Sequence, residues 1–174
     1  MQKVKIPQKV DPYRSATKRL DYDGIISKEN FSRLAEVVEA ILKDIEVHIS
    51  FNVDLQGLTA IAGRASTAVK CVCQRCGESF DLDLVAEFSY TPDQKKIESM
   101  GLTTEYDFVS TDEFGEIDLY SLVEDELILA LPIIPKHQED DCAESEEKWV
   151  YGHVVESEKA NPFAVLNELK SKKS

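Results

Sequence analysis

Cys73-Gln-Arg-Cys76-Gly77 is the stretch of this chain whose residue types and spacing are suited to chemistry. In a Cys-x-x-Cys turn both thiolates can point to one side, and the glycine that follows lets backbone N–H groups approach the sulfurs. That geometry suits half of a tetrahedral zinc site. Cys142 is a third donor far downstream. Two side chains are candidates for the fourth: His137, five residues before Cys142, and Cys71, two residues before the pair. The same spacing serves disulfide exchange, but there the first cysteine normally opens a helix in a βαβ unit and gains thiolate character from the helix N-terminus. The flanks here are different. Phe80, Leu82, Leu84, Ala86 and Phe88 alternate with Asp81, Asp83 and Glu87, a strand pattern that puts the pair on a turn between strands. Structural zinc and unliganded thiols are the two readings this leaves; a redox pair fits the flanks less well.

Other candidates for chemistry are thin. His48 falls on the polar side of an alternating run, where a lone imidazole is usually incidental. Glu124, Asp125 and Glu126 have no partner histidine or metal motif, so they are expected to form a solvated helix face. The chain has no glycine-rich phosphate loop, no Gly-x-Ser-x-Gly elbow and no His-Glu-x-x-His, and nothing places a nucleophile beside a base. The expectation is a protein that is not an enzyme.

The elements that must carry the cysteine turn are legible from periodicity. Ile45, Val47, Ile49, Phe51, Val53 and Leu55 alternate with polar residues and predict a half-buried strand. Gln56-Gly57 turns the chain into a second extended run, Leu58 to Cys73, in which Ala60, Ala62, Gly63 and Ala65 weaken the pattern. The cysteine turn then leads into Phe80 to Tyr90. Three successive strands with short connections imply an antiparallel meander. Gly24 is expected at a turn, followed by a helix capped by Ser27 with Phe31, Leu34, Ala35, Val38 and Ile41 on its buried face. Residues 91–112 are polar and broken by Pro92 and Gly101, and they predict a loop with at most one helical turn. Asp118 can cap a helix from Leu119 to Leu131, which Pro132 ends. Residues 136–148 form an acidic loop that holds His137 and Cys142, and metal binding would order it, because coordination free energy becomes folding free energy. Asn161-Pro162 opens a short C-terminal helix with Phe163, Leu166 and Leu169 on one side. The predicted architecture is α+β: an antiparallel meander packed by helices, forming one domain over residues 1–155 with a C-terminal tail over 156–174.

Charge adds a constraint. The formal net charge is −13, which argues against unselective coating of nucleic acid. Its distribution is uneven: six Lys or Arg face one Asp over Met1–Leu20, whereas fifteen Asp or Glu face one Lys over Gly101–Glu147. Such a chain can carry a small basic face and a large acidic one. Met1 to Lys9 lacks an apolar core, and the longest apolar run, Leu127 to Ile134, contains Pro132 and is too short to span a bilayer. Four cysteines without a leader fit a reducing compartment. These features lead to the expectation of a cytoplasmic protein.

Several stretches together resemble the bacterial YceD family, the large ribosomal RNA subunit accumulation proteins. They are Lys18-Arg-Leu-Asp-Tyr22, the cysteine turn with Phe80, Glu113 to Leu119 running into Val123 to Pro132, Pro135-x-His137 with Cys142, and Asn161 to Leu166. The resemblance implies a cytoplasmic factor needed for normal accumulation of 23S ribosomal RNA, through its synthesis, processing or stability, and it supplies no reaction. Many relatives carry a second Cys-x-x-Cys near the position of Cys142, which implies a four-cysteine zinc site in them. This chain departs from that pattern. It keeps Cys142 and offers His137, so the implied structural zinc ligands are Cys73, Cys76, His137 and Cys142. A basic face contacting precursor ribosomal RNA or a large-subunit assembly intermediate would use Arg64, Lys70 and Arg75, with Lys18 and Arg19 next, while the acidic half could hold basic ribosomal proteins. The alternative is an acidic protein-binding adaptor, without RNA contact, for a ribosomal protein or an RNA-processing enzyme.

Overall fold

Strict alternation decides which side of the main strands is buried. In the computed structural model, which describes residues 5–101, 106–137 and 142, Ile45, Val47, Ile49 and Phe51 turn inward and are almost wholly buried. Glu46 and His48 between them are exposed, as expected of an antiparallel sheet with one wet face. The elements are Lys9–Val10 (β1), Pro12–Lys18 (α1), Asp21–Ile26 (β2), a 3-10 turn at Lys28–Asn30, Ser32–Val37 (α2), Ala40–Ile41 (β3), Ile45–Val53 (β4) and Thr59–Val72 (β5). Ser79–Thr91 (β6), Gln94–Met100 (α3), Asp107–Phe108 (β7), Ile117–Asp118 (β8) and Leu119–Leu129 (α4) follow.

The main sheet has the order β2-β4-β5-β6-β7, with β3 also paired to β5. All its pairs are antiparallel except β6–β7. The predicted α+β meander is therefore present, extended by a short parallel edge. β1 and β8 form a separate antiparallel pair. Helix α1 packs on β4 and β5, and α4 on β5 and β6, all over the buried face. The described residues belong to the compact unit Met1–Ala143; the predicted boundary at 155 and the predicted C-terminal helix lie outside them. No helix among the described residues is long and apolar enough to cross a membrane.

The weak apolar pattern of β5 has a packing cause. Gly63 lies opposite Phe88 in the register, and a Cβ at Gly63 would collide with the Phe88 ring and come within 3.1 Å of the His48 carbonyl. The aromatic ring occupies the volume that a side chain on β5 would need, so the missing side chain is part of the core.

Three local expectations are corrected. The helix expected from Ser27 through Ile41 stops at Val37. Val38 is extended, the Glu39 N–H donates to Lys70 O at 2.9 Å, and the Leu42 N–H donates to Ala68 O at 2.8 Å. Pairing with β5 takes over where β-branched residues make helix weak. Ser27 makes no side-chain capping bond. Gly24 is not at a turn but inside β2, opposite Val47. The loop expected over 91–112 contains α3 and the β7 strand.

Helix α4 begins as predicted: the Asp118 carboxylate accepts from Tyr120 N and Ser121 N, each at 3.0 Å. Its charge run is not a uniform solvated face. Glu124 is only 6% exposed and accepts from Arg33 N at 2.7 Å, Leu34 N at 3.1 Å and Arg33 Nε at 2.9 Å. A carboxylate of α4 thus satisfies backbone donors at the start of α2, where otherwise no side chain caps the helix. Glu126 accepts a hydrogen bond from the Tyr90 hydroxyl; burial, then this contact, raises the pKa of that phenol.

Candidate metal centre

Strand β5 ends at Val72, and the chain reverses over six residues before β6 begins at Ser79. Cys73 N donates to Glu78 O and Gly77 N to Cys73 O, both at 2.9 Å. Gly77 has φ +81, the left-handed conformation that closes the turn and that glycine adopts without steric cost. The Arg75 N–H lies 3.4 Å from Cys73 Sγ, so a backbone donor reaches the sulfur as the motif predicts.

A second segment meets this turn. After α4 and Pro132, the Pro135 carbonyl accepts from Gln74 N at 2.9 Å. The Arg75 guanidinium donates through Nη2 to His137 O at 3.2 Å, and the Phe80 and His137 rings pack with centroids 4.7 Å apart. These contacts bring His137 Nδ1 to 3.4 Å from Cys76 Sγ. Cys142 Sγ lies 3.9 Å from Cys73 Sγ.

The donor atoms of Cys73, Cys76, His137 and Cys142 all lie within 4.8 Å of one another. Zinc bonds of about 2.3 Å to sulfur and about 2.0–2.1 Å to nitrogen, in a tetrahedron, require edges of about 3.8 Å between sulfurs and about 3.6 Å between sulfur and nitrogen. The two distances above match those edges, so the donor set fits the metal. Cys73 and Cys142 are buried and the other two half-buried. Burial pushes the Cys73 thiol up, but backbone N–H groups of Cys76, His137 and Arg75, with the Cys76 thiol, outweigh it and bring the value down to about 5. Burial, then hydrogen bonds that the Cys142 thiol donates to Cys76 and Cys73, push Cys142 upward. One sulfur is thus held as thiolate at neutral pH.

Cys71, the other sequence candidate for fourth ligand, belongs to the core. It is 5% exposed, faces inward from β5, and burial raises its thiol pKa.

The family model described as large ribosomal RNA subunit accumulation protein YceD matches residues 61–170 of this chain. A curated relative of that name from Haemophilus influenzae is 44% identical over 174 residues, covering 99% of this chain and all of the relative. The chain belongs to the YceD family. The YceD match spans β5, β6, α4 and all four donors of the cluster. No solved structure matches.

The five basic residues singled out in the sequence lie on different elements. Arg75 sits in the cysteine turn and Lys18 ends α1, followed by Arg19 as its C-cap at φ 51. Arg64 and Lys70 point outward from β5, on the side of the sheet opposite α1. There Arg64 pairs with Glu87 at 3.3 Å, and Lys70 lies opposite Asp81. The registers assemble rows across four strands: Asp23, His48, Arg64 and Glu87 in one, and Ile25, Glu46, Ser66 and Val85 in the next. Carboxylates outnumber cations on this face. The sequence alternation held that information, but only the register reveals which charges become neighbours.

Proposed function

We propose that this YceD-family protein is a non-catalytic cytoplasmic factor on which 23S ribosomal RNA accumulation depends, acting by binding precursor ribosomal RNA or a large-subunit assembly intermediate. The observation that carries the reading is the four-donor cluster. Four protein ligands fill a tetrahedral site and leave no open position for water or substrate, as in structural and not catalytic zinc sites. Bound zinc would pin His137 and Cys142 to the β5–β6 turn and hold Arg75 at its tip. Arg75, Lys18 and Arg19 are the phosphate contacts favoured here, since Arg64 and Lys70 lie beside carboxylates that weaken their attraction for phosphate.

Charge reversal tests this. Arg75→Glu, alone and with Lys18→Glu and Arg19→Glu, should lower RNA crosslinking to the protein in cells and reduce mature 23S RNA relative to 16S RNA. Unchanged crosslinking and unchanged 23S RNA in the triple variant would exclude direct contact through these residues. A second reading, an adaptor that holds a basic ribosomal protein or an RNA-processing enzyme, is favoured by the acidic open face of the sheet. Protein crosslinks with almost no RNA crosslinks would select it.

A further inference from the structure

The open face of the sheet contains a groove. A hollow of about 530 Å³ is built on the row Ile25–Glu46–Ser66–Val85, with Asp44 and Asp83 at its rim and Lys43 as the one cation among the described residues that line it. A second hollow of about 420 Å³ shares Glu46 and Ser66 and extends toward Asp23, His48 and Arg64. The two together form a depression crossing β6, β5, β4 and β2.

We propose that this groove receives an arginine or lysine side chain from an extended basic segment of a partner protein. The inference rests on the adaptor reading and names the surface and the partner chemistry for it. Three features carry it. Ile25 and Val85 are 40% and 48% exposed, although they stand on strand positions otherwise filled by polar or small residues. They bound the hollow from opposite sides, at the β2 and β6 ends of a four-strand row. Ser66 lies between Glu46 and Val85 in that row and leaves the floor low. Asp44, Glu46 and Asp83 then surround the depression with negative charge. Long cationic side chains combine an apolar stem with a charged head, and the groove offers apolar walls for the stem and carboxylates for the head.

The alternatives fit less well. A phosphate backbone would meet three carboxylates and one lysine at the hollow, which is repulsive. The same face of a second copy carries the same excess of negative charge. A purely apolar ligand would gain nothing from the negative charge around the hollow.

The test uses the full chain and a fluorescein-labelled decapeptide of alternating arginine and serine, followed by anisotropy at about 0.05 M and about 0.3 M salt. Binding should be clear at the lower salt and weaken several-fold at the higher. Asp83→Lys combined with Val85→Lys should weaken it about tenfold or more, a change typical of reversing charge at a close contact. Asp21→Lys, which reverses one carboxylate on the same face but away from the hollow, should stay within about twofold. All three positions are exposed on strands, and far-UV circular dichroism verifies the fold of each variant. Peptide binding that the double variant leaves intact, or that Asp21→Lys weakens equally, overturns the groove while leaving an adaptor role standing. Absence of peptide binding to the unaltered chain also overturns the groove, while the adaptor reading stands or falls separately on the protein and RNA crosslinks. A labelled ten-nucleotide uridine RNA that binds the unaltered chain and competes with the peptide for it would reassign the groove to RNA and overturn the proposal.

Discussion

His137 Nδ1 lies 3.4 Å from Cys76 Sγ although 61 residues separate them in the chain. The approach is prepared by contacts that need no metal: Gln74 to the Pro135 carbonyl, Arg75 to the His137 carbonyl, and the Phe80 ring against the imidazole. Such outer contacts orient ligands and raise their effective affinity.

Protein purified without chelator should therefore hold about one zinc per chain, as measured by elemental analysis. Cys76→Ser and His137→Ala should weaken retention against a competing chelator by more than about 100-fold, and Arg75→Ala by less, because loss of an outer partner costs about 10–100-fold. Cys71→Ser should not alter zinc content. Equal zinc loss from Cys71→Ser would show that the metal sits elsewhere.

Glu124 is the buried carboxylate on which α2 and α4 meet. Glu124→Ala removes the acceptor for two backbone N–H groups and leaves Arg33 with only Asp125 at 2.5 Å and the Ser121 carbonyl. Arg33 is half-exposed, so the loss is chiefly that of the backbone donors left without an acceptor, about 1–3 kcal/mol, which urea unfolding would register. Asp125→Ala removes only the exposed partner and should cost about 1 kcal/mol or less.

At Gly63 the expected defect is steric. Gly63→Val must displace Phe88, and overpacking of this kind costs about 1–3 kcal/mol. Pairing it with Phe88→Leu should restore part of the loss, seen as a melting temperature between those of Gly63→Val and the unaltered chain. If the double variant melts below both single variants, the two side chains do not share one volume.

Lys9 and Asp112 pin the β1–β8 pair at 2.8 Å. The hydrogen bond from Lys9 is the main cause that lowers the Asp112 carboxyl below its ordinary 3.8, and the bond to Asp112 likewise raises Lys9 above its ordinary 10.5. The sign follows from linkage. The carboxylate contribution is present above about 3.8 and is lost as pH falls through the lower folded value. The ammonium contribution is present below about 10.5 and is lost as pH rises through the higher folded value. The Leu119 N–H, which donates to Gln8 O at 2.8 Å, should report both limits by nuclear magnetic resonance. Lys9→Met should return the Asp112 titration toward 3.8.

The strands over 45–53 and 79–91 could be read from the chain because their alternation is clear, the one over 59–72 because short turns join it to both, and Asp118 announced α4 through a capping chemistry that is local. The cysteine turn was equally legible, since three residues and a glycine fix it. What local chemistry could not supply was the choice between helix and strand at Val38 to Ile41. There an apolar stripe fits either period, and hydrogen bonds to Lys70 and Ala68, nearly thirty residues away, decide.

The sequence by itself thus determined the meander, its wet and dry faces, and the half-site at Cys73 and Cys76. Tertiary structure brought His137 and Cys142, which the family resemblance implied, to the pair and placed Cys71 in the core, because a strand position two residues earlier faces inward. It also decided that Glu124 is buried and that Arg64 stands beside Glu87. Both depend on which distant residues the sheet register and helix packing bring to within a few ångströms, and periodicity along one segment carries no record of its neighbours.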